Sequence, residues 1–310
     1  YDNGEYIQFR EKYNPTLFVP SKKKTFYKTL DGEYVAPIKP GSVRDCRDFY
    51  KKYEEVDEFK IYGNERYIYQ YISDKYPEEE IKFDIGKVRL LTVDIETRSE
   101  NGFPDVESAD QEILLISVQD YNTKEITTWG VGPFKVKQDN VRYIQFNNEH
   151  DMLSSFIQWW MDNTPDVVTG WNIQLFDMPY ITKRIERLLG VKLARRLSPW
   201  GLVSQKEVFI KGRRQVFYDI GGITQLDVEL VDRLEDKMKL IELALTMAYD
   251  AKVNYNDVFY QVRMWDTIIY NYLKKKGIVI PQKEQSDKSD KYAGAYVKEP
   301  IPGKYDWVVS

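Results

Sequence analysis

Residues 87–97 (KVRLLTVDIET) constrain the fold of this chain more than any other stretch. A compact apolar run of this kind reads as a buried strand. It ends in acids: Asp94 and Glu96 stand two positions apart, so their side chains share one face. Two carboxylates side by side repel each other unless cations sit between them. Magnesium and manganese prefer oxygen ligands, which makes such a pair a natural metal cradle. Taken alone, Asp-Ile-Glu is a common triplet, and a solvated strand end is its plainer reading.

A second acid-bearing segment lies further along, in the run Asn172, Ile173, Gln174, Leu175, Phe176, Asp177, Met178, Pro179, Tyr180. A strand delivers Asn172, a short loop follows, and Asp177 opens a helix. An ordinary N-cap would look similar, because Asp before Met-Pro suits the first turn of a helix. Phe176 and Asn172 are odd choices for a plain cap.

The texture around these segments is α/β. Residues 112–121 and 125–131 read as strands that continue from 87–97 in a meander, and 142–146 as a fourth strand. Residues 148–162 carry Met152, Leu153, Phe156, Ile157 and Trp160 at helical spacing, and Pro165 ends that pattern. Residues 166–172 form a fifth strand, 178–189 a second helix ending at Gly190, and 205–220 a hairpin around Lys211-Gly212. A long helix is expected over 228–249, with Leu230, Val231, Leu234, Met238, Ile241 and Leu245 on its apolar face, and another over 263–273. Before residue 87 the pattern is mixed: short Tyr- and Lys-rich strands, a turn at Asp31-Gly32, and a helix over 42–54 capped by Ser42. The acidic run at 78–80 and the turn at 84–86 suggest a boundary. The expected organisation is a small α+β domain over 1–86, an α/β domain over 87–250, and a connecting region over 251–310 that includes the polar stretch 282–291 and an apparent strand at 306–310. The start at Tyr1, rather than methionine, reads as truncated.

Composition narrows the chemistry. The chain has one cysteine, Cys46, and one histidine, His150, so an internal disulfide is impossible and a histidine-rich zinc site improbable. His150 sits in a polar stretch that opens a helix, and a helix-start role is the expectation there. Catalysis would have to use carboxylates, Tyr or Lys. The net charge of -4 argues against a general nucleic-acid coat. It does not exclude a nuclease, since bound divalent metals restore positive potential locally. Basic groups cluster at Lys183, Arg184, Arg187, Lys192, Arg195 and Arg196, at Lys211, Arg213 and Arg214, and at 274–276. Each could meet phosphates or simply face solvent. No apolar run is long enough to span a bilayer.

Together the two acid-bearing segments resemble a known pair. Val93-Asp94-Ile95-Glu96-Thr97 resembles the Exo I motif of family B DNA polymerases, and 172–180 matches the Exo II pattern Asn-x-x-x-Phe-Asp-x-Pro-Tyr. Gly170-Trp171-Asn172 and the Ser198-Pro199 to Gly201 segment are similar to the T4-like phage type. Residues 263–280 and 292–297 resemble the link from exonuclease to palm in that group. The resemblance implies a ribonuclease-H-like exonuclease domain that hydrolyses a 3'-terminal phosphodiester with two divalent metals, Mg or Mn. Asp94 would bridge both metals, Glu96 would bind the first and orient water, and Asp177 would bind the second. Phe103 is a candidate to stack on a terminal base, or to pack under a loop. Asn172 would support the site through a hydrogen bond. Phe176, Tyr180, Arg213 and Arg214 of the hairpin, and Tyr292 and Gly294 would contact nucleic acid. The implied partners are a single-stranded DNA 3' end, primer-template DNA, a palm, fingers and thumb in the same protein or a second chain, and a sliding clamp. The implied compartment is the cytoplasm of a bacterial host, with no membrane.

The chain departs from the family at its third motif, Tyr-x-x-x-Asp. Asp227 would be the fourth carboxylate, but Ile stands at position 223 and no Tyr-x-x-x-Asp follows Asp177. Residues 221–227 resemble a strand that lies well upstream in the family, as if two segments were joined at Asp227. The palm's catalytic Asp would follow a strand like 307–310 and does not occur here. Two alternatives therefore stand beside an exonuclease: a nucleic-acid-binding module without catalysis, and an unrelated ribonuclease-H-like nuclease.

Overall fold

The computed structural model describes residues 9–53, 56, 59–77, 83–99, 102, 104–210, 213–227 and 239–282. The chain divides into two compact units. One comprises Asn14–Glu65 with the stretch from Gly277; the other comprises Tyr1–Tyr13 with Arg66–Lys276.

In the first unit, β1 (Leu17–Pro20) is followed by β2 (Lys28–Thr29), β3 (Val35–Ile38) and α1 (Val43–Tyr53). β1 and β3 pair antiparallel, with Leu17 opposite Ile38. The start of α1 is a reciprocal cap: Ser42 N–H donates to the Asp45 carboxylate at 2.7 Å, and Asp45 N–H donates back to the Ser42 hydroxyl at 3.4 Å. Val35, Tyr62 and Val279 form its small core.

The second unit is a mixed α/β layer. It opens with α2 (Tyr67–Lys75). Then come β4 (Leu90–Thr97), β5 (Ile113–Asp120), β6 (Ile126–Val131), β7 (Val141–Phe146), α3 (Glu149–Asp162), β8 (Val167–Gly170) and α4 (Asp177–Leu189). After a short helix α5 (Val191–Ala194) the chain forms a hairpin of β9 (Val203–Ile210) and β10 (Arg213–Ile220), then β11 (Thr224–Asp227), α6 (Leu240–Ala251) and α7 (Gln261–Lys275). The central sheet has the order β11-β8-β4-β5-β6-β7. The expected meander is present, since β4–β5 and β5–β6 are antiparallel, while β4–β8 and β8–β11 are parallel. β7 adds to the far edge parallel to β6. Residues 132–140 make that return, and an extended segment of this length can span a six-residue strand.

The alternation along β4 divides the sheet's two faces. Leu91, Val93 and Ile95 join the large core with Met152, Phe156 and Trp160 of α3 and Met178, Ile181 and Ile185 of α4. Leu90 points the other way, into a second cluster with Val167, Leu226 and the α6 residues Ile241 and Leu245. Asp94 and Glu96 share the parity of Leu90 but lie beyond the apolar cover, and both are exposed. The strand is thus buried on both faces at its start and opens on one face where the acids come.

Two expectations need correcting. A helix over 228–249 does not run through: Lys239 has φ +50°, a left-handed turn, and α6 begins at Leu240. Ile241 and Leu245 are buried as expected, whereas Leu230, Val231, Leu234 and Met238 lie outside the described residues. The fifth strand stops at Gly170 because Asn172 takes φ +53°, a region Asn tolerates better than most residues. No helix among the described residues is long and apolar enough to cross a membrane.

Candidate functional site

Three parallel strands, β4, β8 and β11, end at the same side of the sheet, the side where open α/β sheets bind ligands. β4 outruns its neighbour. Its pairing with β8 covers only Leu90 to Thr92, which leaves an open edge further along β4. Gly170 closes β8 against β4: a Cβ there would lie 2.5 Å from the Val93 carbonyl oxygen. No other residue lets the two backbones come this close.

Asp177 fills the opened edge. It is the first residue of α4, not its cap, and the capping position, Phe176, makes no side-chain cap bond. The Asp177 carboxylate instead accepts the N–H of Ile95 at 3.2 Å, between Asp94 and Glu96 in sequence. The N-cap reading of Asp177 is therefore set aside. At 3% exposure the carboxyl is pushed up to about 7, first by burial and then by the charge of Asp94, with Asp227 adding to it. The Ile95 N–H pulls in the opposite direction. Asp94, although exposed, is also raised, by partial desolvation first and by the charge of Glu96 next. Asp227, at the end of β11 opposite Gly170, accepts the N–H of Ile173 at 3.0 Å. The structure thus brings Asp94, Glu96, Asp177 and Asp227 to one end of the sheet.

Among the described residues, burial, other carboxylates and backbone N–H act on Asp94 and Asp177, and no lysine or arginine does. An all-oxygen donor set of this kind suits a hard divalent cation. Among the described residues, no three acidic, histidine or cysteine side chains already meet at ligand spacing. The fit therefore rests on donor chemistry and on the raised carboxyls.

Stability should depend on pH here. A carboxyl whose folded pKa is raised keeps its proton in the native state after the unfolded chain has lost it. Stability is then lost as pH climbs from the ordinary aspartate range through about 7. In chelator, wild type should melt lower at pH 8 than at pH 5, and Asp177→Asn, which cannot ionise, should flatten that difference. Added Mg or Mn should raise the wild-type melting temperature at pH 8 and much less at pH 5. Thermal melts of both proteins at the two pH values, with and without metal, provide the check.

The expected nucleic-acid contacts fare unevenly. Tyr180 is a correction: it is 0% exposed, and its hydroxyl donates to the Gln111 carbonyl at 2.8 Å, so it packs the start of α4 and cannot stack on a base. Phe176 packs partly buried against the same core, 5.6 Å from the Tyr180 ring. Asn172 contributes a backbone turn, its carbonyl accepting Leu175 and Phe176 N–H. Arg214 is exposed on β10 and pairs with Glu207 at 2.6 Å. The Arg213 side chain, Phe103, Tyr292 and Gly294 lie outside the described residues.

One member of the first basic cluster is also corrected. Arg184 is buried in an ion pair with Glu149 and is no phosphate contact, whereas Arg187 is exposed and donates from one nitrogen to the Ser108 carbonyl at 3.2 Å. His150 sits in the first turn of α3, 3.2 Å from Asp151, as expected of a helix start. Sequence reasoning missed Gln174 and Gln225, which hold the Asp177 loop. An amide inside a strand gives no local signal of its partner.

A family model described as DNA polymerase family B, exonuclease domain matches residues 46–243. The DNA-directed DNA polymerase of Escherichia phage RB69 is 27% identical over 391 aligned positions, covering 99% of this chain and 43% of that protein. That of Enterobacteria phage T4 is 29% identical over 389, covering 100% and 43%. The DNA polymerase of Pyrococcus glycovorans is 25% identical over 283, covering 72% and 35%. The chain spans less than half the length of these curated relatives. Both phage alignments run longer than its 310 residues, so each phage relative carries residues within the matched span that this chain lacks. With the matched model covering more than half of its length, and with both acid-bearing segments at one sheet end, the chain belongs to the exonuclease-domain family of the family B DNA polymerases.

Proposed function

We propose that this chain is the 3'-5' proofreading exonuclease part of a phage-type replicative DNA polymerase, built on a ribonuclease-H-like sheet. Its substrate would be a single-stranded primer 3' end. The observation that carries this reading is the Asp177 carboxylate: it is buried, spent on the Ile95 N–H rather than on its own helix, and raised first by that burial and then by its neighbour Asp94. Asp94, Glu96, Asp177 and Asp227 would hold two divalent ions. Bound there, such ions lower the pKa of water and neutralise charge on the leaving 3'-oxygen. The chain's own part is to hold the carboxylates in register. β4 presents Asp94 and Glu96 on one face, Gly170 brings β8 tightly against β4, and the 171–176 loop sets Asp177 beside Ile95. Primer-template DNA, a palm, fingers and thumb, and a sliding clamp are the proposed partners, in the cytoplasm of a bacterial host.

The test is a 3'-end oligonucleotide with Mg or Mn. Trimming from the 3' end is expected, with loss on chelation and in the Asp94→Ala, Glu96→Ala double variant. Equal trimming by that variant would sink the assignment. A mobility shift with no cleavage at saturating metal would favour a binding module instead.

A further inference from the structure

The loop that delivers Asp177 is tied down by more than its own turns. Ile173 N–H reaches the Asp227 carboxylate, and the Gln174 side-chain amide donates to the main-chain carbonyl of Gln225. Gln225 lies in the middle of β11 and is 8% exposed. Its own amide turns back to the hairpin and donates to the Tyr218 carbonyl of β10 at 2.6 Å. Tyr218 is itself buried in the main core. The side-chain oxygen of Gln225 has no hydrogen-bond partner among the described residues.

A buried amide with one unmet acceptor is a costly occupant of a four-residue strand. An apolar residue would pack there without that cost. What the amide provides is a connection. From the Tyr218 carbonyl the path runs through the Gln225 side chain to its backbone, then through the Gln174 amide into the loop and on to Asp177.

We infer that Gln174 and Gln225 are positioning residues, a two-amide relay that fixes the Asp177 loop against β11 and the base of the hairpin. The inference rests on the exonuclease reading and deepens it. The relay touches neither substrate nor metal. It sets where the Asp177 carboxylate stands relative to Asp94, and so acts on turnover and cation affinity more than on oligonucleotide binding.

The test compares wild type with Gln174→Met, Gln174→Glu, Gln225→Met and the Gln174→Met, Gln225→Met double variant. Substrate is a 3'-labelled single-stranded oligonucleotide, and free manganese is counted by electron paramagnetic resonance without DNA. Each single variant should lose roughly tenfold in kcat, with KM within about threefold, and bind manganese severalfold more weakly. Gln174→Glu keeps the shape but not the donor at pH 8, so it should behave like Gln174→Met. The double variant should be no worse than the poorer single, because both amides lie on one path. Gln225→Met removes the unmet acceptor, and its melting temperature should stay near wild type. Single variants with wild-type kcat and wild-type manganese affinity would overturn the relay while the exonuclease reading stood. So would a double variant that multiplies the two losses. If wild type itself does not cleave, the exonuclease reading falls. The manganese titration then decides the relay alone: equal affinity in Gln174→Met overturns it, and weaker affinity supports it.

Discussion

Replacing Asp177 by asparagine should remove roughly three decades of exonuclease rate, yet leave the metal-free protein at least as stable at pH 8. The two halves of that result share one cause. Asparagine keeps an oxygen that can accept the Ile95 N–H, so the start of α4 stays in place beside β4. What disappears is a negative charge that burial and Asp94 already oppose. The apo protein is relieved of it, whereas a bound cation loses a ligand. Charge stabilisation by metal sites is worth several kcal/mol, and about 1.4 kcal/mol is a tenfold change in rate. A single-turnover assay on a 3'-labelled strand, run beside a thermal melt in chelator, reads both. Activity within about tenfold of wild type would mean that Asp177 serves α4 alone.

The second large effect falls on stability. Glu149 and Arg184 are 6% and 5% exposed. Glu149 accepts the Ile113 N–H at 2.8 Å and Arg184 Nε at 2.8 Å, while Arg184 Nη1 donates to the Ala109 carbonyl at 2.9 Å. The network joins α3, α4, the start of β5 and a loop in which Ala109 holds φ +38°. Arg184→Met leaves a buried carboxylate without its counter-charge and an Ala109 carbonyl with less to hold it. Breaking one side of such a pair costs about 3–5 kcal/mol. For a domain of this size that lowers the melting temperature by roughly 10 °C. Glu149→Gln keeps an acceptor for Ile113 but strands the guanidinium, and should cost a comparable amount. Differential scanning calorimetry at neutral pH decides it, and a shift of only a degree or two would show the pair to be replaceable.

That ion pair shows where the sequence stops being legible. β4 could be read because its apolar run and terminal acids lie next to each other. α3 could be read because Met152, Phe156 and Trp160 repeat at helical spacing. Arg184 looked like its neighbour Lys183, a cation on a helix rich in cations, and its partner stands 35 residues earlier. Tyr180 had two readings because an aromatic in a motif can stack or pack. The choice depends on α4 being enclosed from Asp177 to Thr182, which no local pattern states. Asp94, Glu96 and Asp177 could be found because their motifs are compact. Their meeting at Ile95 could not, since it depends on β8 stopping at Gly170 and leaving β4 an open edge. Asp227 was the hardest, with a familiar residue in an unfamiliar sequence context, and its register opposite Gly170 and the Ile173 N–H set it beside the others.

Gly170 carries a consequence for the gene. Every single-base change in a glycine codon that alters the amino acid adds a β-carbon, and at this position that carbon would meet the fixed carbonyl oxygen of Val93. Point mutation therefore offers this position no replacement that fits, only synonymous codons. A lineage can change the residue only by also moving the strand, so the position behaves as locked at the level of the protein while its codon drifts silently.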